Sequence, residues 1–247
     1  MELNQYLVLA SFAALLIGMS KGGLPLVGMM SVPVLSLVMS PVKAAVLLLP
    51  LFVISDAVGI WLYRKNYSLV NLKILVPAGI AGVMFGWFTA ALISELTIKF
   101  LIGLVGVCFC LQTWFKRGSV QAPQPASLPK GIVWGGLAGF TSFIAHAGGP
   151  PFQIFVLPQK LPKAEFAGTA TILFAIINLA KIGPYQNLSP YSEADLWKVA
   201  VLVPFALIGT FLGAYLTKRI AEAWFFKLVQ TGLFALSLKL IWDAATS

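Results

Sequence analysis

The chain repeats itself, and that limits its folds more than any other feature. Val76-Pro77-Ala78-Gly79-Ile80-Ala81-Gly82-Val83-Met84-Phe85-Gly86 returns as Val203-Pro204-Phe205-Ala206-Leu207-Ile208-Gly209-Thr210-Phe211-Leu212-Gly213, 127 residues later. The Val-Pro pair and the glycines at 82/209 and 86/213 recur, and Ile93/Ile220 and Glu95/Glu222 follow at the same shift. Shared apolar composition does not account for so many identities in so short a window. Upstream, Phe52/Phe174, Asp56/Asn178 and Ile60/Ile182 align at a shift of 122. The second half is therefore about five residues shorter after its first elements. Each half reads as a broken pair of apolar elements followed by three helices. The first broken pair is 5–20 and 24–39, with helices over 43–63, 72–93 and 97–115. The second pair is 131–146 and 150–160, with helices over 163–183, 196–217 and 222–242. Residues 1–115 and 130–247 form the two repeats, joined by a Pro-, Ser- and Gln-containing linker over 116–129.

The breaks themselves are Ser20-Lys21-Gly22-Gly23-Leu24-Pro25 and Ala145-His146-Ala147-Gly148-Gly149-Pro150-Pro151, at matching places in the two halves. They matter because of the solvent. Of the 247 residues 59% are hydrophobic and 10% charged, against about 25% charged in a soluble domain. Runs such as 44–63, 74–93 and 199–217 approach or exceed the roughly 18 apolar residues of a spanning helix. The fold class is thus an all-α, polytopic membrane bundle. In a membrane, backbone outside a helix survives only where protein buries it or a polar cavity wets it. Paired breaks in corresponding positions point to a transporter's central site.

The net charge of +9 does not indicate nucleic acid, because the basic residues sit at the ends of apolar runs rather than along one face. Arg64, Lys65 and Lys73 bound one connection, Lys116, Arg117 and Lys130 another, Lys218 and Arg219 a third. These connections should face the cytoplasm, whereas the acidic segments 94–97 and 187–195 should face out. The two halves are then inverted relative to each other. Ten spans, or six spans with two re-entrant hairpins, satisfy that parity; eight spans contradict the charge pattern.

After each break, glycines precede Pro25 or Pro151, a residue suited to the first turn of a helix. The first-turn N–H groups there lack partners within the helix. Gly22, Gly23, Gly148 and Gly149 would let an anion approach them closely. Against this stands a plainer reading, two close-packed kinks. Lys21 costs about 2.5–3.5 kcal/mol within an apolar stretch, so it needs a partner, a cavity or a route to water. His146 is the only histidine, either an anion ligand, a proton sensor or a satisfied hydrogen-bonding residue. Asp56, deep in its run, is a coupling site or the partner of Lys21; its mate Asn178 suggests helix–helix glue equally well. Thr171, Asn178 and Lys181 fall on one helical face, and Thr169 stands beside them as a further lateral contact. No metal cluster, nucleophile motif or phosphate loop is present, so neither an enzyme nor a cofactor is expected. Cys108 and Cys110, two apart in one helix, point in different directions and cannot bridge each other.

The chain resembles the sulfite exporter TauE/SafE family over nearly its whole length. The likeness rests on Gly18-Met19-Ser20-Lys21-Gly22-Gly23 and, more specifically, on the string from Gly139 through Thr141, Ser142 and His146 to Pro151. Ala167-Gly168-Thr169, Asn178, Lys181, Pro184 and Tyr185 extend it. The family often carries a longer glycine run in the first break than is found here. The resemblance implies a multi-pass transporter of the bacterial inner membrane that moves sulfite, sulfonates or related organic anions. The sites expected are Lys21, Gly22, Gly23, His146, Gly148, Gly149, Thr169, Asn178 and Lys181, with Asp56 for coupling or pairing. The partners expected are that anion and the lipid bilayer, with a homo-oligomer left open. The rival reading is a membrane scaffold or assembly factor that transports nothing.

Overall fold

The computed structural model describes residues 3–24, 27–90, 92, 94–115, 123–219 and 222–246. Pro25, Ile93, Ile220 and residues 116–122 of the linker, with Lys116 and Arg117, lie outside them, as do the side chains of Glu95, Lys218, Arg219, Glu222 and Trp224. Among the described residues every regular element is helical. The first half holds α1 (Leu3–Lys21), α2 (Ser31–Leu35), α3 (Pro41–Tyr63), α4 (Leu69–Ala90) and α5 (Glu95–Phe115). The second holds α6 (Leu128–Ala145), α7 (Gly149–Val156), α8 (Lys163–Leu188), α9 (Glu193–Arg219) and α10 (Glu222–Thr246). Four stretches, Pro41–Tyr63, Leu69–Thr89, Ala164–Leu188 and Glu193–Leu216, are long and apolar enough to cross a membrane.

The two broken pairs are hairpins of unequal arms. In the first, the later arm does not run to residue 39 as an apolar element long enough to cross. It is a 3₁₀ turn over Val27–Met30 and the five-residue α2. Local chemistry shortens it: Pro33 offers no N–H, and the Ser31 hydroxyl donates to Gly28 O at 2.6 Å. Beyond Leu35 the chain tightens, with Leu37 and Val38 donating to carbonyls only three residues back. Hydropathy alone misses this, since a short buried arm and a spanning helix are equally apolar. The later arm of the second pair is α7 plus a 3₁₀ turn over Leu157–Gln159, a half-span as its length suggests.

Each hairpin returns to the end it came from. At the first hairpin's open end, Lys198 stands over the Tyr6 ring and shares a pocket with Met39 and Lys43. At the second's, Gly131 packs against Phe155 and Gln124 donates to Pro158 O. These open ends lie at opposite ends of the molecule. Ser68 and Asn66, past the end of α3, touch Thr169 and Gly168 near the start of α8, whereas Val46, near the start of α3, meets Tyr191 beyond the end of α8. The two helices run antiparallel, with Asp56 and Asn178 in contact midway.

The long arms are held by seams of glycine. α1 packs along α9, and α6 along α4. A Cβ on Gly18 would lie 1.8 Å from Ala206 O, one on Gly209 2.2 Å from Leu15 O, and one on Gly82 2.0 Å from Gly136 O. Small residues let membrane helices approach backbone to backbone, so the glycines of the repeated Val-Pro segment join each half to the hairpin of the other.

Candidate functional site

The tips of the two hairpins meet in the middle of the molecule, and α3 and α8 close the sides. Between them is a cavity of about 50 Å³, lined by Ser20, Lys21, Gly28, Met29 and Phe52 from the first half. Ser142, His146, Gly149, Ala170, Thr171, Phe174 and Asn178 line it from the second. That is room for a few water molecules, the bulk of a small oxyanion.

How each helix ends decides what enters this space. α1 stops because Gly23 turns to φ 118°, and Leu24 N–H returns to Met19 O, a left-handed cap suited to glycine. α6 stops on His146 at φ 51°, its N–H bonded to Ser142 O. A non-glycine residue there is uncommon, and the imidazole is held on three sides. It stacks on Phe52 with ring centroids 4.3 Å apart, Nε2 lies 3.0 Å from Ala45 O, and Nδ1 lies 2.7 Å from Lys181 Nζ.

Those contacts fix the tautomer. A carbonyl only accepts, so Nε2 carries the hydrogen, and Nδ1 accepts from the ammonium. Lys181 is 0% exposed and donates also to Ser142 O at 3.1 Å and Ser142 Oγ at 3.2 Å. Three donors meet three acceptors. Tyr185 O–H donates to Phe143 O. Two α8 side chains thus satisfy carbonyls at the C-terminus of α6, where a cation also suits the helix dipole.

Lys21 is arranged differently. Its Nζ is 2.6 Å from Asp56 Oδ1, and Asn178 Nδ2 donates to Asp56 Oδ2 at 2.6 Å. Asp56 is 3% exposed and does not line the cavity; Lys21 and Asn178 stand between it and the space. The ammonium also lies 5.4 Å from the Phe52 ring and 6.0 Å from the Phe174 ring, a repeat-related pair. The Lys21 ammonium has three hydrogens and the Asn178 amide two, more than Asp56 takes up. With the hydroxyls of Ser142 and Thr171, the cavity wall is rich in donors. Lys21 and Asp56 form an ion pair, and the donors they leave free suit a small anion that accepts hydrogen bonds.

Not every sequence candidate reaches it. Gly149 does, its open side meeting only Met29 Sδ at 3.9 Å. Gly22 and Gly148 are packing positions instead: a Cβ on Gly22 would lie 2.3 Å from Thr210 O, and one on Gly148 2.5 Å from Phe174 Cε1. The Gly22 N–H is spent on Gly18 O. Gly23 shapes the cap of α1 without lining the cavity. Thr169, expected as a lateral contact, does not line the cavity. Its hydroxyl donates to Glu165 O at 2.6 Å and accepts from Ser68 N–H at 2.8 Å, which ties down the α3–α4 connection. Two residues along a helix turn the side chain about 200°, so Thr171 faces the cavity and Thr169 faces away. Sequence reasoning gave no site role to Ser142, and it expected Tyr185 to be an interfacial aromatic at the end of its run, whereas Tyr185 is buried; both stand in the residues of the resemblance. Phe52 and Phe174 were marked only by their recurrence. Among the described residues no three His, Cys, Asp or Glu side chains gather to hold a metal.

The sequence model of one family, sulfite exporter TauE/SafE, matches residues 8–240. Comparison with curated proteins and with solved structures gives no match. A profile spanning nearly the whole chain agrees with the helical bundle and its apolar helices, and the protein is a membrane transporter belonging to the sulfite exporter TauE/SafE family.

Proposed function

We propose that the protein exports a small sulfur oxyanion, such as sulfite or a small sulfonate, across the bacterial inner membrane, with the cavity between the hairpin tips as its site. One observation carries this reading: the donor-rich wall in which Asp56 is shielded by Lys21 and Asn178. Lys21, Asn178, Ser142 and Thr171 contact the anion directly. The Gly149 backbone lies at the start of α7, whose first-turn N–H groups favour negative charge. Lys181 and His146 supply charge from behind the wall. The small volume favours a compact oxyanion over a long-chain sulfonate.

Residues 1–115 and 130–247 act as inverted repeats joined by a cytoplasmic linker at 116–129. The antiparallel α3 and α8 and the hairpins opening at opposite ends support this arrangement. It gives each membrane face an equivalent route to one site, as alternating access needs. With the cell interior negative, an outgoing monovalent anion gains about 2.3 kcal/mol per 100 mV, so export needs no coupling ion. The test is flux in proteoliposomes containing the purified protein under an imposed potential. Sulfite movement that follows the potential supports the proposal. Protein that moves neither sulfite nor any sulfonate is not an exporter of these anions.

A further inference from the structure

Pro50 lies inside α3 and has no N–H, so the carbonyl four residues earlier, Val46 O, loses its normal helical donor. Another group takes that place. Tyr191, in the connection between α8 and α9, donates its hydroxyl to Val46 O at 2.6 Å. The preceding carbonyl, Ala45 O, is the one that faces His146 Nε2. Two consecutive carbonyls of α3 therefore bond outward, one to the central cavity's wall and one to the α8–α9 connection. A second pocket, of about 270 Å³, lies on that outer side and is lined by Val46, Leu47, Tyr191, Lys43 and Lys198. This stretch of α3 is the partition between pocket and cavity.

The connection is firmly built. Tyr191 N–H donates to Gln186 Oε1. Ser192 and Asp195 exchange hydrogen bonds across the start of α9, Ser192 Oγ accepting from Asp195 N–H and Asp195 Oδ2 from Ser192 N–H, which is a capping box. Burial, and secondly the charge of Asp195, raise the Tyr191 phenol above its ordinary range, so it remains a donor across physiological pH.

We infer that Tyr191 is a gating residue of transport: its hydroxyl latches the Pro50-weakened segment of α3 and holds the cavity closed toward the outer pocket. Opening replaces one hydrogen bond on Val46 O with water from that pocket, while Pro50 absorbs the bend. Outward anions then leave past Lys43 and Lys198. The role rests on the transport reading, but its test does not.

With Cys108 and Cys110 replaced by alanine and Ser20→Cys as reporter in the cavity wall, a charged, membrane-impermeant thiol reagent is added in the absence of any anion substrate. It is supplied on the side of residues 189–192. Tyr191→Phe keeps the ring and removes the latch, so labelling should speed up about 3- to 10-fold, the worth of one neutral hydrogen bond. Labelling from the opposite side should not change. Pro50→Ala restores a helical donor to Val46 O, so in that background Tyr191→Phe should have little further effect. Unchanged labelling, acceleration from both sides, or equal acceleration in both backgrounds overturns the latch. Labelling that accelerates in a protein with no flux leaves the latch standing and removes the proposed function; flux without acceleration does the reverse.

Discussion

The two buried lysines at the hairpin tips carry the same charge in opposite ways. Lys21 is neutralised by an acid and keeps donors facing the cavity. Lys181 makes no ion pair among the described residues, spends its donors on Ser142 and His146, and does not line the cavity. The first presents donors to the cavity, and the second stands behind its wall. In the proposed reading, a site divided in this way holds an anion less tightly than a free ammonium would, which suits a transporter that must also release it.

The largest effect expected from breaking this division is at Asp56. Asp56→Ala strands Lys21 in a buried position, and breaking one side of such a pair costs about 3–5 kcal/mol. A fall in thermal stability in detergent, with loss of flux, is the outcome to measure. Lys181→Met should come next, at about 1–3 kcal/mol, because it leaves the buried imidazole Nδ1 without a donor, while Ser142 O keeps the His146 N–H; both stability and flux should fall. Lys21→Met combined with Asp56→Leu removes the first pair entirely. It should recover most of the stability lost by Asp56→Ala, since apolar replacement of a buried pair is often neutral, yet leave flux near background. If flux recovers with stability, Lys21 is structural and the division fails. Ser142→Ala is the smallest, about 1 kcal/mol of stability, with a weakened apparent affinity for the anion.

Part of this could be read from the residues alone. The alignment of Asp56 with Asn178 marked two side chains that turn out to bond each other across the halves. The need of Lys21 for a partner followed from the cost of an isolated charge in a membrane. The breaks located both hairpin tips because glycine and proline act through local backbone geometry. What stayed hidden depends on contacts between elements far apart in the chain. Nothing near Lys181 indicates that it caps α6, 39 residues earlier, and nothing near Pro50 names Tyr191. The four glycines looked equivalent in sequence, yet Gly149 opens on the cavity while Gly22 and Gly148 press on neighbouring atoms. Only the packing separates them.

The glycine seams also decide which parts can travel. At Gly18 and Gly209 in the α1–α9 seam, and at Gly82 and Gly139 in the α4–α6 seam, the space a Cβ would need is taken by the facing backbone. Sliding one helix past the other would drive Leu15 O or Gly79 O into the next residue's Cβ. Each hairpin is therefore carried by a helix of the opposite half, as a wheel is carried by an axle fixed to the other side of the cart. In the proposed alternating access, the contact that must loosen is the one between those carriages, α3 against α8, where Asp56 and Asn178 bond each other.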